Sequence, residues 1–146
     1  MPLSTEKLRD PAALSVVVLE HNDTLRSVLR DTLSARGFGA VAAFGDLEAF
    51  RRHTGQRAPE VLVLDMDLPG EDGLSLLSDL RTAMPDVALM AMSAQMHAHW
   101  RACALNAGAD HLFVKPVLVS ELLAGIRRVL HRRVVRSADV LGKATH

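Results

Sequence analysis

Cysteine is almost missing from these 146 residues; Cys103 is the only one. A single thiol excludes an internal disulfide framework and any Cys-rich zinc module. Aromatic residues are nearly as scarce, at 3%, with no Tyr and one Trp. A base-stacking platform needs several exposed rings, so that class of nucleic-acid binder is excluded. There is no excess of either charge: Lys+Arg and Asp+Glu number 17 each. A strongly basic nucleic-acid-binding surface across the whole chain is therefore also excluded. The longest purely apolar runs, such as Val16–Leu19 and Val61–Leu64, cover only a few residues, whereas a membrane span needs about 20. The N-terminal stretch has no basic segment leading into an apolar one, so it does not read as a secretory signal. A cytoplasmic protein is expected, with neither a membrane nor nucleic acid as a direct partner.

The chain is 49% hydrophobic and 23% charged, as a soluble globular domain is. Its length suits one domain with a core that needs no disulfide or structural metal. Residues 1–13 are polar and punctuated by proline, and read as a loose lead-in. Residues 134–146 lose helical periodicity and read as a tail or the start of a linker. The domain is expected over 14–133.

Within it, short apolar runs alternate with amphipathic ones. Strands are expected at Ser15–Leu19, Gly39–Phe44, Glu60–Leu64, Val87–Met92 and His111–Val114. Helical spacing follows each. Leu25, Val28, Leu29 and Leu33 share one face of the first helix, with Asn22 or Asp23 as cap and Gly37 as stop. Asp46 opens a short second helix with Leu47 and Phe50 inward. Leu74, Leu77 and Leu80 mark the third, residues 96–107 the fourth, and Val119, Leu122, Leu123, Ile126, Val129 and Leu130 the fifth. Five strand–helix repeats imply an α/β fold with a parallel sheet covered on both faces. Eight units would not fit, so a barrel is excluded. The expected architecture is a doubly wound, flavodoxin-like three-layer sandwich of five parallel strands in the order 2-1-3-4-5.

In such sheets ligands bind beyond the carboxyl ends of the strands. Glu20-His21 follows the first strand, Asp65-Met66-Asp67 the third, Ser93-Ala94 the fourth and Lys115-Pro116 the fifth. The strand order puts Asp65 between the others. Acids can help hold a divalent cation while a central carboxylate attacks phosphorus, and Lys and Ser can bind phosphoryl oxygens. That combination suits phosphoryl transfer, which is mostly positioning and charge neutralisation.

These residues resemble the receiver domain of bacterial two-component response regulators. The resemblance rests on Val16-Val-Val-Leu-Glu20, on Val61-Leu-Val-Leu-Asp65-Met-Asp-Leu-Pro-Gly-Glu-Asp-Gly73, on Met92-Ser-Ala94, and on Ala107-Gly-Ala-Asp110 followed by Val114-Lys-Pro116. It covers about 14–133. The resemblance implies a non-enzymatic signalling module whose Asp65 accepts a phosphoryl group from a cognate histidine kinase or phosphotransfer protein. It also implies Ser93 and Lys115 as the groups contacting the phosphoryl oxygens. Glu20, Asp65 and the backbone carbonyl of Asp67 would hold Mg²⁺. Asp67 and Gln95 would tune dephosphorylation, and Pro116 would follow a cis bond. The switched surface would be the fourth helix, fifth strand and fifth helix. In the winged-helix class of transcription regulators this surface dimerises through ion pairs, and Arg101 and Glu121 look like one such pair. An output domain, absent from this sequence, could then control transcription.

Two positions depart from the family pattern. His21 stands where a second acid normally ligates Mg²⁺, and imidazole suits zinc, copper or iron better than a hard cation; weak Mg²⁺ binding is expected. Leu112 stands where many members carry the switch aromatic. Both departures favour an alternative, a pseudo-receiver that acts without phosphorylation. A third reading rests on Asp65-Met-Asp67, which resembles the nucleophile motif of haloacid-dehalogenase-type phosphatases, although Pro69 and the motif's late position fit poorly. A flavodoxin is disfavoured because no Ser/Thr-Gly phosphate loop follows the first strand. Trp100 is expected to be exposed, His97 and His99 to lie on different helical faces, and Arg132 and Arg133 to be solvated.

Overall fold

The computed structural model describes residues 10–95 and 97–144, except for the side chains of 137–144. Five strands alternate with five helices: β1 (Ser15–Leu19), α1 (Asp23–Ala35), β2 (Ala40–Phe44), α2 (Leu47–Gln56), β3 (Val61–Asp65), α3 (Gly73–Ala83), β4 (Ala88–Ser93), α4 (Ala98–Ala107), β5 (His111–Val114) and α5 (Val119–Ala144). The strands form one parallel sheet in the order β2-β1-β3-β4-β5. The expected fold class therefore holds.

Alternation along each strand divides the core in two, because successive side chains leave opposite faces of the sheet. Val16, Val18, Val61, Val63, Met90 and Phe113 face α1 and α5 and pack with Leu29, Leu33, Leu122 and Ile126. Val17, Leu19, Leu62, Leu64, Leu89 and Leu112 face the other way and pack with Phe50, Leu76, Leu77 and Ala104 from α2, α3 and α4. Strands buried on both faces cannot alternate apolar with polar residues, which is why they read as continuous Val/Leu runs.

Local chemistry sets the helix ends. Asn22, Asp46 and Asp72 cap α1, α2 and α3, each accepting a backbone N–H of the first turn. Gly37 follows α1 with φ of +92°, a conformation that a Cβ would disfavour. A Cβ at Gly73 would come within 2.3 Å of the Met66 carbonyl oxygen, so glycine lets the start of α3 lie against the loop after β3.

Four details differ from the sequence expectation. Val28 is on the outer side of α1, 45% exposed, because Leu29 and Leu33 already fill the inward face. Residues 11–13 form a 3₁₀ turn capped by Asp10, and Gly39 accepts the close approach of Ala12; the rest of the lead-in, 1–9, lies outside the described residues. Helix α5 continues through the expected tail to Ala144, with residues 145–146 outside the described residues. Arg133 is not solvated: its guanidinium donates to the Val87 carbonyl and to Asp110 Oδ2, both at 2.9 Å. Asp110 also accepts from Arg81 (2.9 Å) and from the Leu89 amide (2.8 Å). One carboxylate thus ties α5, α3 and β4 together.

Candidate functional site

Parallel pairing carries the carboxyl ends of β1, β3, β4 and β5 to one rim. Leu19 is in register with Leu64, Asp65 with Met92, and Ser93 with Val114. Glu20, Asp65 and Ser93 are fully buried there, and they are the buried polar side chains among the described residues. Lys115 enters from the end of β5 with 17% of its side chain exposed. The Lys115–Pro116 bond is cis.

Asp65 is held from three directions. Its Oδ1 accepts from Lys115 Nζ at 2.9 Å and from the Asp67 amide at 2.8 Å. Its Oδ2 accepts from His21 Nδ1 at 2.7 Å. A carboxylate accepts only, so the proton in this contact sits on Nδ1. Burial alone would raise the Asp65 pKa. The hydrogen bonds from Lys115, His21 and the Asp67 amide outweigh it and keep Asp65 below the usual carboxylate value. Lys115 is raised for the reciprocal reason: its bonds to Asp65 and Glu20 overcome its own desolvation.

Glu20 behaves in the opposite way. Burial, then the charge of Asp65, push its carboxyl up, with Lys115 only partly compensating. Its Oε2 lies 3.3 Å from Lys115 Nζ, but without hydrogen-bond geometry, and has no other partner. An unsatisfied, fully buried carboxylate oxygen is costly and invites a cation. Glu20, His21 and Asp65 each offer a ligand atom, all within 4.8 Å of one another. Two of those donors are hard oxygens that suit Mg²⁺. The third is a nitrogen already committed to Asp65, so at that position the residues do not fit the ion.

The hydroxyl side of the site is closed by its own network. Ser93 Oγ donates to Asp67 Oδ1 at 3.1 Å, and Asp67 Oδ2 accepts the Ala94 amide at 2.7 Å. Ser93 Oγ also accepts from the Gln95 amide and from Trp100 Nε1, each at 3.1 Å. Trp100 is therefore not the exposed residue that the sequence suggests. It is half-buried on the first turn of α4 and packs against the cluster that includes Leu112. Nothing in the linear sequence links Trp100 to Ser93; the signal available was only that an aromatic should cover this side and that position 112 lacks one. His97 is the N-cap of α4, accepting the Trp100 amide at 3.0 Å. Its ring stacks on that of His99 with centroids 6.4 Å apart, because a cap residue lies outside the regular helix and escapes helical spacing.

Leu112 is buried toward α3 and α4, whereas Phe113 is buried toward α5, as strand alternation requires. Phe113 occupies the space in which a Cβ at Gly125 would lie, 2.4 Å from the ring. Arg101 and Glu121 line one groove between α4, β5 and α5, together with His111, Ser120 and Arg128. Burial first, and then Arg101, Arg128 and Arg132, hold the His111 pKa below its usual value.

A doubly wound sheet with two buried acids, a hydroxyl and a lysine on its carboxyl rim defines a class, and comparison with known sequences agrees. Residues 16–127 match the response regulator receiver domain, and the chain belongs to that family. Over 118 residues it is 37% identical to the transcriptional regulatory protein PrrA of Mycobacterium tuberculosis. Over 119 residues it is 33% identical to the response regulator MprA of Mycobacterium avium. These alignments cover 81% and 82% of this chain but only 50% and 52% of the relatives; the chain spans about half their length. Among solved structures, the BeF₃-activated DrrB receiver domain superposes with a TM-score of 0.71 at 23% identity, covering 81% of this chain and 97% of that one. NtrX from Brucella abortus superposes with a TM-score of 0.78 at 23% identity, covering 88% of this chain and 29% of that one. At these identities the likeness concerns the fold. Among the described residues, no helix is long and apolar enough to cross a membrane.

Proposed function

We propose that this receiver domain accepts a phosphoryl group on Asp65 from a histidine kinase or phosphotransfer protein. The observation that carries the reading is the fully buried Asp65 carboxylate, kept ionised by Lys115 at 2.9 Å on Oδ1. With Oδ1 anchored by two donors, Oδ2 is the attacking oxygen. Its lone pair forms the O–P bond while the electrons of the breaking N–P bond return to the donor imidazole, which takes up a proton. His21 holds that same oxygen and must leave it first; its side chain is 41% exposed and has room to turn outward. Lys115 and Ser93 then bind the phosphoryl oxygens, and Asp67 and Gln95, both hydrogen-bonded to Ser93 Oγ, tune water attack.

Mg²⁺, when bound, would neutralise charge on the phosphoryl group. Glu20, Asp65 and the Asp67 carbonyl would hold it, with His21 weakening the site. The surface of α4, β5 and α5 is the output face. Arg101 and Glu121 in one groove suit a two-fold dimer in which each reaches its counterpart across the axis. Control of transcription would belong to the remainder of a longer regulator, as the names of the relatives suggest.

Labelling with radioactive acetyl phosphate tests the reading. Wild type is expected to label weakly in Mg²⁺, and Asp65→Asn not at all. Equal labelling of both would place the acceptor elsewhere. No labelling of wild type even at high Mg²⁺ would favour the pseudo-receiver, in which His21 keeps Asp65 closed.

A further inference from the structure

We propose that Trp100 is the positioning residue that couples Ser93 to helix α4, in place of an aromatic on β5. The inference rests on the phosphoacceptor reading for its trigger, but the coupling itself is a property of the resting protein. A hydroxyl has one proton to give and two lone pairs. Ser93 uses all three, giving its proton to Asp67 and accepting from the Gln95 amide and the Trp100 indole. It cannot bind anything new without releasing something old. A staggered rotation of its side chain toward a group on Asp65 carries Oγ away from the indole. The indole N–H, half-buried, then loses its acceptor and must move to find another.

Movement of Trp100 is movement of α4. The helix is lightly held, with Ala104 as its one fully buried residue, so the large ring on its first turn is a main part of its seat. Trp100 is followed directly by Arg101, which lines the α4–β5–α5 groove. A rearrangement at Ser93 thus reaches the output face through two adjacent residues. Leu112 shows why the task falls on α4: at that β5 position the side chain is apolar and has no donor, although it packs in the same cluster as Trp100.

The chain contains one Trp, so its indole N–H gives a single isolated NMR resonance. In the intact chain, Ser93→Ala is expected to shift that resonance and the amides of residues 98–107. Placed in a Trp100→Phe background, which keeps a ring but removes the N–H, the same Ser93→Ala should shift the 98–107 amides by less than half as much and remain confined to 93–97. Equal α4 shifts in both backgrounds would overturn the proposal, because Ser93 would then reach α4 without the indole N–H. A second arm adds beryllofluoride with Mg²⁺ and reads occupancy of Asp65 by fluorine NMR. Occupancy accompanied by movement of the indole resonance supports the coupling, and occupancy with a stationary indole overturns it. Absence of bound fluoride removes the phosphoacceptor reading instead, and the Ser93 cycle alone then decides the coupling.

Discussion

His21→Asp tests the electrostatics of the rim most directly. In the wild type, His21 Nδ1 lies 2.7 Å from Asp65 Oδ2 and 3.7 Å from Glu20 Oε1. A carboxylate placed there loses the hydrogen bond to Asp65, worth about 1 kcal/mol net. It also adds a third acid beside two buried ones. A unit-charge repulsion at about 4 Å costs roughly 1 kcal/mol in water and roughly 4 at an effective dielectric of 20. Position 21 is partly solvated, so the lower end applies and the total is about 2 kcal/mol. For a domain of this size that lowers Tm by about 4–8 °C in EDTA. The same substitution completes an oxygen donor set for Mg²⁺. A gain of tenfold or more in affinity, about 1.4 kcal/mol, is expected. At 100 times the dissociation constant, binding returns about 2.7 kcal/mol, enough to restore the loss and slightly exceed it. The assay is a thermal melt of both proteins in EDTA and across a Mg²⁺ titration. The variant should start less stable and rise steeply, while wild type rises much less over the same range. Equal Mg²⁺ stabilisation of the two, or a variant no weaker in EDTA, would refute the view that His21 both satisfies Asp65 and spoils the metal site.

Three further outcomes follow from the same geometry. Lys115→Met leaves Glu20 and Asp65 buried without their cation and should cost about 3–5 kcal/mol in urea denaturation at pH 7, with the loss shrinking as acid neutralises the carboxylates. Glu20→Gln has the opposite sign. The folded pKa of Glu20 lies above its usual 4.5, so Glu20 contributes stability below that pH and loses it as pH rises through the folded value. The Gln variant should therefore be the more stable protein at pH 7 without divalent ions, with the advantage gone below about pH 4.5; an advantage that grew in acid would contradict the assignment. Asp110→Ala leaves the Leu89 amide without its acceptor and takes one carboxylate acceptor each from Arg81 and Arg133, which keep their backbone-carbonyl partners at Gly108, Pro85 and Val87. It should cost about 2–4 kcal/mol, against about 1–2 for Arg133→Met, in denaturant titrations of the two variants.

The layers and the rim are legible in the residues alone. Val/Leu runs at Val16–Leu19 and Val61–Leu64 can be satisfied only by burial on both faces. With parallel crossovers, that burial sends Glu20, Asp65, Ser93 and Lys115 to one edge. Capping at Asp46, and at Asn22 or Asp23, is equally legible, because a cap is a contact between residues two or three apart. The long-range contacts are not legible until the chain is folded. Side-chain periodicity shows which face a residue is on but not which distant atom it meets there. Trp100 gave no local sign that its indole would meet Ser93. Arg133 looked solvated until Asp110 was brought beneath it from the end of α4. His21 could be recognised as a substituted position, but the direction of its imidazole, onto the very oxygen that would attack phosphorus, depends on how β1 and β3 pair. Local propensity and burial fix the elements; the donors and acceptors at their ends are assigned only when the sheet closes around them.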